Sequence, residues 1–377
     1  MSDYPKDWEE KNLGFLSSIK TGTKNNEDKV SYGKYSFFVR SANVERIDTY
    51  SYDTEAILVP GEGNIGSIFH YINGKFDVHQ RVYAITNFNK MVNARYIYWY
   101  MVKNFGEYAL SQTSKATVDS LRLPAFQNFK VFFPSLPEQK AIADTLLTFD
   151  KHIENLEKLI EKKKMIREGT LEDLMSRKRR LDGFNGEWEE KELNRICDIY
   201  DGTHQTPIYK PNGIRFVSVE NIKCLKESDK YISKSDFKRD FKIYPEKNDV
   251  LMTRIGDIGT AAIIKDNEKL AYYVSLALFK NIKIDSSYLY HHIGCNHFKD
   301  ELDKRILHHA VPKKINKNDI GKCKVIYPTD IKEQEAIAAI LTSMDAEIED
   351  LEKEKAKIEN LKAGAMDDLL NGRVRLI

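Results

Sequence analysis

Few residues in this sequence have types and spacings that could do chemistry. Gly61-Glu62-Gly63-Asn64-Ile65-Gly66 has the G-x-G-x-x-G form that holds a dinucleotide pyrophosphate when it joins a strand to a helix. Here the next residues, Ser67-Ile68-Phe69-His70-Tyr71, have the pattern of another strand, so the glycines read as a strand-connecting turn. His291, His292, Cys295 and His297 carry metal-ligand side chains within one predicted helix. A zinc site needs four placed ligands, and the other half of the chain has no matching group, so a satisfied structural cluster is expected. His308-His309 lacks a glutamate at metalloprotease spacing. No Walker A lysine loop, no Asn/Asp-Pro-Pro-aromatic tetrapeptide, no nuclease carboxylate–lysine cluster and no placed Ser–His pair is found. The expectation is a chain with no catalytic residue, no metal site and no cofactor of its own.

The elements around these residues fall into two similar halves. Trp8-Glu9-Glu10-Lys11 recurs as Trp188-Glu189-Glu190-Lys191, and Gly22-Thr23 as Gly202-Thr203. The stretch from Phe38 to Val44 recurs from Phe216 to Ile222, and Gly63-Asn64-Ile65-Gly66 recurs as Gly256-Asp257-Ile258-Gly259. The best match closes each half: Glu138-Gln139-Lys140-Ala141-Ile142-Ala143 against Glu333-Gln334-Glu335-Ala336-Ile337-Ala338, ending in Arg180-Leu181 and Arg375-Leu376. A period this long is a duplicated domain rather than a solenoid unit.

Each half opens with a globular head. Short β-rich runs at 35–39, 56–59, 82–85, 129–133, 215–219, 250–253 and 322–327, separated by Gly and Asn turns, predict a mixed sheet. Helices are predicted at 94–105 and 287–305. Each head leads into a helical arm. Ile142, Leu146, Phe149, Ile153 and Leu156 step by alternating fours and threes, as do Ile337, Leu341, Met344, Ile348 and Leu351. That is a heptad seam. The fold class is α+β: two repeated mixed-sheet domains, each followed by a long helix, the two helices pairing as an antiparallel coiled-coil spacer. The boundaries are 1–137 and 182–332 for the heads and 138–181 and 333–377 for the arms. About 30–40 helical residues would make a rod of roughly 45–60 Å, with a head at each end. Gly169 and Gly364, at equivalent places in the arms, are expected to mark a kink or a close helix contact.

The chain has 377 residues with 41% hydrophobic and 31% charged, which suits an ordered chain of two or three domains. Its formal charge of +2 excludes a uniformly basic coat. The second arm carries an acidic excess of roughly five charges, so the remainder is basic, which suits a polyanion touched at two places. There is no apolar run of membrane-spanning length, and the polar start Met1-Ser2-Asp3-Tyr4 has no signal-peptide core. The four scattered cysteines contain no CxxC and fit a reducing cytoplasm.

The order and duplication of these motifs resemble the specificity subunits of type I restriction–modification systems. The stretch from Pro134 to Ala143 and its repeat from Pro328 to Ala338 carry the resemblance, with the Trp-Glu-Glu-Lys openings and the segments Ser114-Lys115-Ala116-Thr117 and Val311-Pro312-Lys313-Lys314. Asp330-Ile331-Lys332 departs from the family by replacing its usual second proline. The resemblance implies target-recognition heads that each read half of a split sequence in double-stranded DNA. It also implies helices that serve as the ruler and a subunit without catalysis. The partners would be two methyltransferase subunits using S-adenosylmethionine and restriction–translocase subunits using ATP and magnesium. The competing readings are a coiled-coil scaffold with protein-binding heads, which would lack salt-dependent DNA affinity, and an enzyme in its own right, which the missing motifs disfavour.

The polar turn residues are the candidate DNA contacts. In the first head these are Lys20, Thr21, Thr23, Lys24, Arg40, Asn43, Asn64, His79, Gln80, Arg81, Ser114 and Lys115. In the second they are Thr203, His204, Gln205, Ser218, Asn221, Arg254, Asp257, Tyr273, Ser275, Lys313 and Lys314. Arg254, Gln80 and Arg81 rank first, because they sit beside the turns expected to face the duplex.

Overall fold

A computed structural model describes residues 4–113 and 120–377. The chain forms two compact units, residues 1–157 with 353–377, and residues 158–352. The division cuts through both arms. Each unit is one head, the near part of its own arm and the far part of the other arm.

Six strands make the sheet of the first head, in the order Ser18–Thr21, Val82–Thr86, Tyr52–Pro60, His70–Val78, Tyr35–Phe38, Glu45–Ile47. All neighbours are antiparallel except Tyr35–Phe38 on His70–Val78. The second head repeats this order with one break. Where the first head has the single strand His70–Val78, the second has Ala261–Ile263 and Leu270–Tyr272, so the sheet divides into a four-stranded and a three-stranded part. The interruption carries Lys265-Asp266-Asn267-Glu268, a charged turn that cannot extend a buried ladder. The structure shifts the internal repeat by one residue at two places. Lys24, not Thr23, takes the place of Thr203. Phe38 pairs with Val78 and Val217 with Tyr272, so the structural partner of Phe38 is Val217 rather than Phe216.

The arms are the helices Leu136–Met175 and Ile331–Leu370. Within the first unit Asp150 meets Lys362 at 2.5 Å and Glu157 meets Lys355 at 2.9 Å. Within the second, Lys163 meets Glu347 at 2.5 Å and Arg167 meets Asp345 at 2.8 Å. In both units one number rises as the other falls, so the helices run antiparallel. Exposed pairs of this kind add little stability each; they report the register.

The ends of the arms do more than line a helix–helix seam. Ile142 and Leu146 lie in the core of the first head with Trp8, Tyr96 and Phe133, and Leu369 and Leu370 of the second arm join them there. Ile337 and Leu341 enter the second head's core beside Leu171, Leu174 and Met175 of the first arm. Phe149, Ile153, Met344 and Leu351, nearer the middle, are half-buried, while Leu156 and Ile348 are buried. Gly169 and Gly364 make no close helix contact: a Cβ on either would meet nothing within 4 Å, and the helices run on through both.

The strongest repeated motif explains how head and arm are joined. Gln139 is fully buried, its Nε2 donating to Pro134 O at 2.9 Å and Met91 O at 3.0 Å, while its Oε1 accepts from Asn93 N at 2.8 Å. Gln334 does the same in the second head, donating to Pro328 O and accepting from Asp285 N, both at 2.7 Å. Asn93 and Asp285 are the N-caps of the helices Ala94–Ser111 and Ser286–Ile293. The neighbouring glutamates are buried and take bidentate arginines from the far end of the other arm: Glu138 with Arg375, and Glu333 with Arg180. Burying a carboxylate this way requires a charge-assisted partner of matching geometry, which the arginine fork supplies.

The histidine–cysteine cluster is tied into the fold by hydrogen bonds. It spans the helices Ser286–Ile293 and Asn296–Asp303, with Cys295 between them, rather than one helix. His291 Nδ1 accepts from Arg167 at 3.2 Å and its Nε2 donates to Thr342 Oγ1 at 3.0 Å. His292 Nε2 accepts from Ile326 N at 2.9 Å, and Nδ1 points at Cys295 Sγ. No group of three metal-ligating residues is found among the described residues. Burial, reinforced by Arg167, pushes His291 down to about 4, and burial, reinforced by His297, pushes His292 down to about 3. Both are therefore held neutral when folded but take up protons near 6.5 when unfolded. Their contribution is complete above pH 6.5 and is lost as pH falls from there toward 4 and 3. A series of urea midpoints against pH should fall across this window, and His292→Gln, which keeps an acceptor for Ile326 N, should flatten the slope.

Candidate DNA-reading site

At one end of each sheet five segments converge, and they are tied by the same backbone bonds in both heads. In the first, Lys24 N donates to Val78 O at 3.4 Å, Gln80 N to Lys24 O at 2.8 Å and His79 N to Phe38 O at 3.0 Å. Gly61 N donates to Arg81 O at 2.9 Å and Leu121 N to Gly61 O at 2.8 Å. In the second, Thr203 N donates to Tyr272 O at 3.1 Å, Val274 N to Thr203 O at 3.0 Å and Tyr273 N to Val217 O at 3.0 Å. Arg254 N donates to Ser275 O at 2.8 Å and Ile315 N to Arg254 O at 3.0 Å. One frame thus presents two different sets of side chains.

The repeated Gly-Thr turn has a steric cause. A Cβ on Gly22 would lie 1.8 Å from Val78 O, and one on Gly202 would lie 2.4 Å from Tyr272 O. Only glycine lets the turn approach that closely.

In the first head Arg40, Arg81 and Gln80 are exposed at this convergence, with Lys24 half-exposed. Gln80 donates to Asn25 Oδ1 at 2.5 Å. Glu62, a residue the motif reading treated only as part of a turn, lies between the arginines: Arg40 Nη1 at 3.4 Å and Arg81 Nη1 at 3.2 Å. His79 is buried, its Nδ1 accepting from Arg81 N at 3.0 Å, so it shapes the turn. Burial, then Arg40 and Arg81, lowers its pKa. Thr23, Asn43 and Asn64 stand exposed on the same connections, while Lys20 and Thr21 are exposed on the strand Ser18–Thr21. Ser114 and Lys115 lie outside the described residues.

The second head differs most at Arg254. It occupies the place of Gly61, is 8% exposed, pairs with Asp201 and donates from Nε to Ile315 O at 3.1 Å. A guanidinium engaged in this way braces the turn instead of standing free for a base. Ser275 is also buried, its Oγ accepting from Val219 N at 3.3 Å. Ser218 caps the turn at Glu220 N, and Tyr273 and Asn221 are half-buried. His204, Gln205, Asp257, Lys313 and Lys314 are exposed, Thr203 half-exposed, and Gly256 N donating to Lys313 O at 2.8 Å places the lysines at the glycine turn. Arg254→Ala should therefore lower the thermal midpoint of the protein along with second half-site binding. Lys313→Ala should leave the midpoint unchanged and reduce the salt slope of DNA binding by about one; melting curves and salt titrations separate the two.

Among the described residues no helix is long and apolar enough to cross a membrane. The family model for the type I restriction modification DNA specificity domain matches this sequence twice, at residues 5–163 and 185–360. The MjaVIII specificity subunit of a type I restriction enzyme from Methanocaldococcus jannaschii is 26% identical, over 99% of this chain and 94% of that one. The EcoDI specificity subunit from Escherichia coli is 29% identical over 42% of this chain and 34% of its own length. The crystal structure of the type I S subunit from M. genitalium superposes with a TM-score of 0.71 at 18% identity, covering 98% of this chain and 99% of that one.

Proposed function

The chain belongs to the type I restriction modification DNA specificity domain family, and from that premise we propose that it reads a split DNA sequence for a type I complex. Each head takes one half-site and the paired arms fix the unspecified interval. The observation that carries this reading is the doubled frame: identical backbone bonds hold the turns of both heads, while the side chains at matching places differ. Arg40, Glu62 and Arg81 stand where the second head has Val219, Ile255 and Ser275. Base edges are told apart by side-chain donors, acceptors and apolar groups, so one frame with two sets suits two unlike half-sites.

The chain itself performs no catalysis in this reading. Two methyltransferase subunits using S-adenosylmethionine, and restriction–translocase subunits using ATP and magnesium, do the chemistry in the cytoplasm. The buried Glu–Arg and Gln ties support the ruler role, because they fasten each head to the helices that would set the interval. Single-molecule sequencing of methylated adenines, in cells with the neighbouring methyltransferase gene and with or without this one, tests the proposal. A split motif that vanishes with this gene is expected. A stable complex that writes no gene-dependent motif would overturn it.

A further inference from the structure

The three charged side chains at the first head's convergence differ from ordinary surface ion pairs in how they are shared. One carboxylate, Glu62, is 23% exposed in its side chain and engages both guanidinium groups through a single nitrogen each, Arg40 Nη1 on Oε2 and Arg81 Nη1 on Oε1. Among the described residues no hydrogen bond or ion pair engages the Nε–Nη2 edge of either arginine, and both arginines are about half exposed, at 46% and 57%. That free edge is the two-donor fork that fits the O6 and N7 acceptors of guanine in the major groove. Arginine loses rotamer freedom when it binds, and a carboxylate that already restrains the Nη1 corner lowers that cost.

Three connections bring the group together. Arg40 follows the strand Tyr35–Phe38, Glu62 follows Tyr52–Pro60, and Arg81 precedes Val82–Thr86. Gly61 N donating to Arg81 O fixes Glu62 beside Arg81, and Glu62 forms an antiparallel bridge with Ser120. At the matching places of the second head, Val219, Ile255 and Ser275 carry no charge, so the device belongs to one head only.

Deepening the proposed function and resting on it, we infer that Arg40 and Arg81 are the guanine readers of the first half-site and that Glu62 is their positioning residue. The first half-site therefore contains guanine facing this turn, and the second head reads its half-site without an equivalent pair.

The test uses the complex with the methyltransferase subunit and duplexes carrying the methylated motif's sequence. Each guanine of the first half-site is replaced in turn by 7-deazaguanine, which keeps the shape and removes the N7 acceptor. Wild type should lose about ten- to a hundred-fold in affinity at one or two of these guanines. Arg40→Ala and Arg81→Ala should each abolish the sensitivity at one of those positions while leaving second half-site discrimination intact. Glu62→Gln should shrink the guanine to 7-deazaguanine ratio while non-specific binding holds or strengthens, because a negative charge near phosphate is gone. A purely structural role for Glu62 would lower both together, with the melting temperature, and would overturn its assignment. Sensitivity that is absent at every guanine, or that persists in both arginine variants, overturns the readers. Wild-type complex that discriminates no sequence at all would instead sink the functional reading, and this inference with it.

Discussion

Gly22→Ala should abolish recognition of the first half-site, with at least about a hundred-fold loss of specific DNA binding, and should destabilise the first head by about 1–3 kcal/mol. The added Cβ would sit 1.8 Å from Val78 O and 2.3 Å from Val78 C, backbone atoms that cannot swing aside like a side chain. The turn must lift off the strand, which breaks Lys24 N to Val78 O and Gln80 N to Lys24 O and moves Lys24, Gln80 and Arg81 together. Gly202→Ala should do the equivalent to the second half-site, somewhat more mildly, because its nearest clash is 2.4 Å. Footprinting or competition with duplexes mutated in one half-site separates the two effects. Equal damage to both half-sites by either variant would show that the heads do not read independently.

The other large effect is expected at the head–arm junction. Gln334→Ala should cost about 2–4 kcal/mol, since it strands the half-buried Asp285 N–H and the buried Pro328 O, at about 1–3 kcal/mol each. Asp285 caps the helix Ser286–Ile293, so the loss reaches His291 and its partners on both arms. The consequence to measure is twofold: a lower urea midpoint, and methylation by the assembled complex that weakens while each half-site still binds as a short separate duplex. Gln139→Ala makes the same prediction for the first head, where three bonds are lost. A midpoint unchanged in both variants would mean that the motif does not hold head to arm.

Much of the fold was legible because it rests on local periodicity. The stepping from Ile142 to Leu156 announces a helix, and the observed helix runs Leu136–Met175. The strand expected at 250–253 is present as Val250–Thr253, and that expected at 82–85 as Val82–Thr86. One predicted helix, 287–305, is two, because the chain breaks at Gly294-Cys295 with Cys295 extended. Resolving that break needed more than hydrophobic pattern, since Leu289, Ile293, Phe298 and Leu302 are buried on both sides of it.

The candidate site was only half legible. Composition and turn chemistry point to a set of connections, but not to which side chains on them are buried and which exposed. Arg254 and Arg81 look alike in sequence. One is buried against Asp201 and Ile315 O, the other exposed and shared with Glu62. Glu62 carries no local signal, because its partners lie 22 and 19 positions away and no spacing rule joins such residues.

By itself the sequence determined the duplication, the element types, the family and the pairing of matching arms, because each is written in residue order at short range or by repetition. Tertiary structure alone decided that Glu138 and Glu333 are met by Arg375 and Arg180 from the opposite arm's end, and that arm residues such as Ile142 and Ile337 complete the head cores. It also decided that Arg254 is buried while Arg40 and Arg81 stand exposed. Burial and ion pairing depend on what the folded chain brings near from far along its length, and a charge left unpaired in a core is costly enough that geometry, not residue type, assigns each one its role.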